Sequence, residues 1–163
     1  MSANAAAADA HGNQARGIRR LALRTAAGLV LVAAAMVMPW ATYENRATRV
    51  TTNFKGGGPG LLLVALGLAS IAVALLLHKR ASTRLLRIHF GLGCAAWIVS
   101  IVLALSRISS ANHMNGPGPS KTSFATGTVI AIVAAAAIAL TSAVEIARTS
   151  RPRTLEGSGP LRR

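Results

Sequence analysis

Four long runs of apolar residues, at about 25–43, 59–77, 88–106 and 122–144, leave this chain few ways to fold. A helix needs about 20 mostly apolar residues to cross a hydrocarbon core of roughly 30 Å, and each run reaches that length with its flanks. In lipid every backbone amide and carbonyl must be satisfied within its own segment, so runs of this kind become helices and not lone strands. Charged residues make up 13% of the 163-residue chain, against about 25% in an ordinary soluble domain. The expected fold class is therefore all-α: a four-transmembrane-helix bundle over residues 19–148. It is flanked by an alanine-rich tail at 1–18, expected to be disordered, and by a basic tail at 149–163.

The basic residues divide unevenly between the two ends of such a bundle. Thirteen precede the first run, join the second to the third or follow the fourth; five, Arg46, Arg49, Lys55, Arg107 and Lys121, occupy the other two connections. The positive-inside rule then puts both termini in the cytoplasm. Trp40 and Tyr43 fall at the outer end of the first run, where amphipathic rings favour the headgroup region. With Arg24, Arg87 and Arg148 they are the expected interfacial anchors. A net charge of +14 would suggest nucleic acid in a soluble chain. Here the arginines flank apolar runs without aromatic interleaving, so the lipid bilayer, and not nucleic acid, is the expected partner.

A basic leader followed by LVLVAAAMVM also fits a secretory signal. Its apolar stretch spans nearly a whole bilayer and Pro39-Trp40 is not a small-x-small cleavage site, so the run is expected to be retained; removal would leave three spans. The glycine-rich stretch NFKGGGPGLLL is not a phosphate cradle, because Lys55 precedes the glycines and no Ser or Thr follows them. Pro59 and the glycines instead suit the start of a helix. In the connection before them, Val50, Thr52 and Phe54 alternate with polar residues and predict a short extended segment. SSANHMNGPGPSKT, between the third and fourth runs, reads as irregular.

Ionisable residues deep in a span are the strongest functional signal in a membrane chain. Arg24, Arg87, His89, Arg107 and Glu145 all lie within a turn or two of a run's end, which predicts interfacial positions reached by snorkelling. Glu145 stands three residues before Arg148, the spacing of an exposed helical ion pair. Cys94, the only cysteine, allows no intramolecular disulfide and reads as a buried, inert thiol. The four histidines are scattered without metal-ligand spacing. No catalytic constellation, cofactor or metal site is expected, and the chain reads as a non-enzyme.

One packing pattern stands out. Gly127, Ala131, Ala135, Ala139, Ala143 and Ala147 recur every four residues, and such small-residue stripes let helices approach closely. Gly91 with Ala95, and Ala22 with Ala26, offer shorter pairs of the same kind. Together, Pro39-Trp40 at the end of the first run, the polar loop after it, the glycine-led second run, the basic hairpin and the arginine-rich tails resemble the uncharacterised small four-span integral membrane proteins of high-GC actinobacteria. The resemblance implies a plasma-membrane location and assigns no activity or functional residue.

The leading functional expectation is an accessory or structural subunit of a larger membrane or cell-envelope complex, partnered by another membrane protein or by further copies of itself. The alternative is a small oligomeric transporter or lipid flippase, for which Ser70, Ser100 and Thr141 would line a polar cavity. A membrane enzyme would need a cluster of Arg, Asn and Glu inside the bundle, and that combination occurs only at Glu44-Asn45-Arg46, in a connection. An immunity protein against a pore-forming toxin would share the layout.

Overall fold

The computed structural model describes residues 3–45, 50–55, 57–80, 82–113 and 120–150. Among these, four helices and three strands follow in the order α1 (Ala3–Met36), β1 (Pro39–Asn45), β2 (Val50–Lys55), α2 (Gly57–Lys79), α3 (Thr83–Asn112), β3 (Ser120–Phe124) and α4 (Thr126–Thr149). The chain is mostly helical, but it is not all-α: a small sheet closes one end of the bundle. Both α1 and α4 have their outer termini at the opposite end, called here the terminal end.

Helix α1 begins at Ala3, so the tail expected to be disordered is helical over its described part. Alanine has the highest helix propensity, and a helix already formed in the apolar segment extends into such a run without a new nucleation step. The other tail lies outside the described residues from position 151 onward.

The first apolar run does not stay helical to Tyr43. Val37 N–H donates to the Ala33 carbonyl at 2.9 Å, the last helical bond. Pro39 then removes the next useful amide and biases Met38 towards extended backbone. Residues 39–45 form β1, the central strand of an antiparallel sheet ordered β2-β1-β3. Tyr43 stands opposite Thr52 of β2 and Thr122 of β3. Strand β2 is the extended segment that the alternation at Val50, Thr52 and Phe54 predicts. Strand β3 takes the first residues of the fourth apolar run and the end of a connection read as irregular.

Each helix packs on two others: α1 on α2 and α4, and α3 on α2 and α4. Leu31, Ala34, Ala35, Leu63, Leu103, Ala135 and Ile138 fill the centre, with Trp40 above them at the sheet end. Two glycine contacts set the helix spacing. A Cβ on Gly93 of α3 would stand 2.6 Å from the backbone nitrogen of Ala139 on α4. Gly28 of α1 and Gly67 of α2 each face the other's carbonyl, with a Cβ falling 3.2 and 3.1 Å from it. Close approach therefore runs through Gly93, while Gly91 is exposed and meets nothing within 4 Å. Ala22 and Ala26 are likewise exposed.

The outside of the bundle is apolar. Leu61, Leu62, Leu68, Ile98, Val102, Leu105, Val129, Val133 and Leu140 are each at least half exposed. Among the described residues three helices, α2, α3 and α4, are long and apolar enough to cross a membrane.

Candidate functional site

The half of the bundle towards the terminal end holds most of its buried polar side chains, Arg24, Ser70, His89 and Ser142. On α1, Arg20 and Arg24 are one turn apart and so project from one face. On α4, Glu145 faces them: Arg20 Nη1 donates to Oε1 at 3.3 Å and Arg24 Nη2 to Oε2 at 2.5 Å. The three differ in burial, with side chains 44% (Arg20), 7% (Arg24) and 25% (Glu145) exposed. The carboxylate thus goes to α1 and not to Arg148 on its own helix. A nearly enclosed guanidinium needs a counter-charge far more than an exposed one does, which decides the competition.

His89 on α3 does not snorkel to a surface. It is fully enclosed, with Nε2 3.0 Å from Ser70 Oγ on α2 and Nδ1 2.6 Å from Ser142 Oγ on α4. Ser142 Oγ also donates to the Ile138 carbonyl at 3.0 Å. That bond uses the serine's only hydrogen, so it accepts from His89, and the proton of a neutral ring belongs on Nδ1. Ser70 then donates to Nε2, and every hydrogen in the chain of bonds has an acceptor. A serine beside a histidine resembles a nucleophile with its base. Here the other ring nitrogen is held by a hydroxyl, no carboxylate orients it, and all three side chains are sealed from substrate. The arrangement is a hydrogen-bonded tie across α2, α3 and α4.

The remaining hydroxyls do not join it. Ser100 donates to the Ala96 carbonyl at 2.8 Å and Thr141 to that of Ala137 at 2.8 Å. Ser70, Ser100 and Thr141 therefore do not line one polar cavity together. Glu44 is exposed on β1, Asn45 is buried at its end, and Arg46 lies outside the described residues.

The expected anchors separate into two groups. Arg87 and Arg148 are exposed at the terminal end, whereas Arg24 is buried in its ion pair. Trp40 and Tyr43, expected in the headgroup region, are inside the protein at 0% and 6% exposure. Trp40 Nε1 donates to the Ala34 carbonyl at 3.1 Å, while its own carbonyl accepts from Thr128 Oγ1 at 2.6 Å and Ala125 N at 3.2 Å. A ring with one polar atom can be buried when that atom finds a partner, and Trp40 finds one in the last turn of α1.

Along the small-residue stripe, Gly127, Ala131 and Ala135 are buried, Ala139 and Ala143 half-buried and Ala147 exposed. A four-residue step overshoots a helical turn by about 40°, so the stripe winds around the helix, with Ala139 still against Gly93 of α3 and Ala147 turned outward. The buried face follows the helix period instead: Gly127, Thr128, Ala131, Ala134, Ala135, Ile138 and Ser142. Cys94 is half-buried on the wall of an apolar groove of about 610 Å³ between α3 and α4, beside Phe90, Trp97, Val133 and Leu140.

Two smaller cavities flank the Arg24–Glu145 pair. One, of about 260 Å³, lies between α1 and α4 and is lined by Arg20, Leu23, Arg24, Leu140, Val144 and Arg148. The other, of about 140 Å³, lies between α1 and α2 and reaches Leu77 and His78. Among the described residues no three His, Cys, Asp or Glu side chains come together as metal ligands. No family model matches the chain, and no curated protein or solved structure matches it.

Proposed function

We propose that the chain is a four-span plasma-membrane protein, with both termini in the cytoplasm, that serves as an accessory or structural subunit of a larger membrane or cell-envelope complex. The observation that carries this reading is the sheet. It is built from both connections at its end of the bundle, and its central strand starts inside the core at Trp40. That makes a platform whose outer strands, β2 and β3, each have one edge unpaired among the described residues, and strand addition at such an edge is a common way to seat a partner.

Placing α1 in the membrane as the fourth span rests on its exposed apolar residues. Ile18, Leu23, Leu29, Val30, Met36 and Val37 are each more than 40% exposed, and a helix from Ile18 to Val37 covers roughly 28 Å. Its inward face packs into the bundle and its Arg24 meets Glu145, which favours retention of α1 over removal as a signal. Orientation follows from the basic residues, which crowd the terminal end. The likeness to actinobacterial four-span proteins belongs to the same proposal. A transporter or flippase would need a polar path, and the hydroxyls of Ser100 and Thr141 are tied to their own helices, which weighs against it.

The test is purification of the tagged protein from its native membrane in mild detergent, followed by mass spectrometry of what accompanies it. A stoichiometric larger partner, lost when charges are placed on the β2 edge by Thr51→Asp and Asn53→Asp, supports the accessory role. A partner-free oligomer carrying one enriched solute overturns it.

A further inference from the structure

We propose that the groove between α1 and α4 at the terminal end binds the phosphate of an anionic phospholipid, with an acyl chain lying below it on Leu23, Leu140 and Val144. The site rests on the membrane placement proposed above and adds a ligand to it. Three guanidiniums, those of Arg20, Arg24 and Arg148, and one carboxylate, Glu145, line the same cavity of about 260 Å³. That leaves two positive charges uncompensated at its mouth. Arg24 is 93% buried by its side chain, and its Nε is enclosed without a hydrogen-bond partner although Nη2 holds Glu145. Such an N–H has already lost its water, so donating to a phosphate oxygen costs it no further desolvation.

The rest of the groove selects a lipid over a free anion. Leu23, Leu140 and Val144 are 53%, 65% and 43% exposed and continue the cavity away from the arginines. From Arg148 to Leu140 α4 rises about 12 Å, enough to carry a ligand from headgroup depth into acyl depth. A charged mouth above an apolar wall matches a phosphodiester with its chains, and a zwitterionic headgroup would bring its ammonium against the same arginines. Glu145 does not close the site to phosphate, because Arg20 and Arg24 already hold its two oxygens.

The full-length protein is extracted from membranes, mixed with phosphatidylglycerol and phosphatidylcholine in detergent, and its bound lipid read by native mass spectrometry. Retention of phosphatidylglycerol in preference to phosphatidylcholine is expected. Arg20→Gln with Arg148→Gln should weaken it on the order of 30-fold, taking about 1 kcal/mol per basic residue. Both residues are exposed, so folding should persist. Arg84→Gln with Arg87→Gln removes equal charge from the same end and should leave retention unchanged, while Val144→Trp fills the apolar wall and should abolish it. Equal loss in both arginine pairs, no preference between the lipids, or full displacement by inorganic phosphate alone overturns the proposal. Absence of the protein from the membrane fraction instead overturns the membrane reading beneath it.

Discussion

At the scale of single residues, burial decides what the polar side chains do. His89 sits between two serines on different helices, and its ring donates to Ser142. Interhelical hydrogen bonds inside membrane bundles contribute about 0.6 kcal/mol on average and up to about 1.7. A double-mutant cycle on His89→Leu and Ser142→Ala, read by unfolding in a graded detergent, should give a coupling in that range. The same cycle with Ser100→Ala should give none, since Ser100 bonds only its own helix; equal couplings would sink the assignment. The Glu145 carboxylate predicts a larger effect. Glu145→Gln leaves Arg24 charged and enclosed, a loss of about 3–5 kcal/mol by analogy with broken buried pairs, whereas Arg148→Gln at an exposed site should change stability by less than about 1 kcal/mol. Comparable losses in the two variants would mean that Arg24 is solvated. Neither role was legible from distance to a run's end, because depth along a helix does not say which way a side chain faces. Ser70 and His89 did carry a signal: they lie at nearly equal distances on either side of the Lys79–Ser82 turn, and an antiparallel hairpin brings such residues level.

At the scale of elements, the helices were legible and the strands only partly. Apolar runs of this length mark helices, because a backbone in lipid would have only that solution. The same run gives no sign of where helix yields to strand, and β1 and the end of β3 are written in the letters of the first and fourth runs. Only Pro39 marked the first change. The pairing of β1 with β3 joins segments some eighty positions apart, which no local pattern contains. Helix contacts show the same division. The small-residue stripe of α4 is buried at Gly127, Ala131 and Ala135 and meets Gly93 of α3 at Ala139, while its last member, Ala147, turns outward; on α3 the close approach is at Gly93 and not at Gly91. Adding one methyl group tests this. Gly93→Ala places a Cβ 2.6 Å from the Ala139 nitrogen, which real side chains do not tolerate, and should destabilise the bundle by about 1–3 kcal/mol. Gly91→Ala, in open space, should be neutral or stabilise by up to about 1 kcal/mol through helix propensity. Thermal unfolding of the two in the same detergent separates them, and a matched response would show that α3 and α4 do not touch at Gly93.

At the scale of the whole molecule, the apolar residues face outward as well as inward, and the two ends differ in charge and in architecture. The sheet end holds the paired strands; the terminal end holds the α2–α3 turn and the arginines of α1 and α4. These two facts turn the proposed topology into one measurement. With Cys94 replaced by serine, Thr51→Cys puts a thiol on the exposed side of β2 and Arg84→Cys puts one near the start of α3, where both native residues are exposed. A membrane-impermeant maleimide applied to intact cells should label the first and not the second, and permeabilisation should expose the second. Labelling in the opposite order would invert the protein and put the lipid groove at the outer leaflet. Labelling of both in intact cells would place the two ends on one side, which is incompatible with α2, α3 and α4 crossing the bilayer between them. That pair of thiols does not test the fourth span, because α2, α3 and α4 alone would set the α2–α3 turn opposite the sheet whatever α1 does; a third thiol at Arg16, exposed on α1, tests it. If α1 crosses the bilayer, Arg16→Cys behaves like Arg84→Cys; if it lies on the surface at the sheet end, Arg16→Cys behaves like Thr51→Cys, and the ion pair from Arg24 to Glu145 could not form.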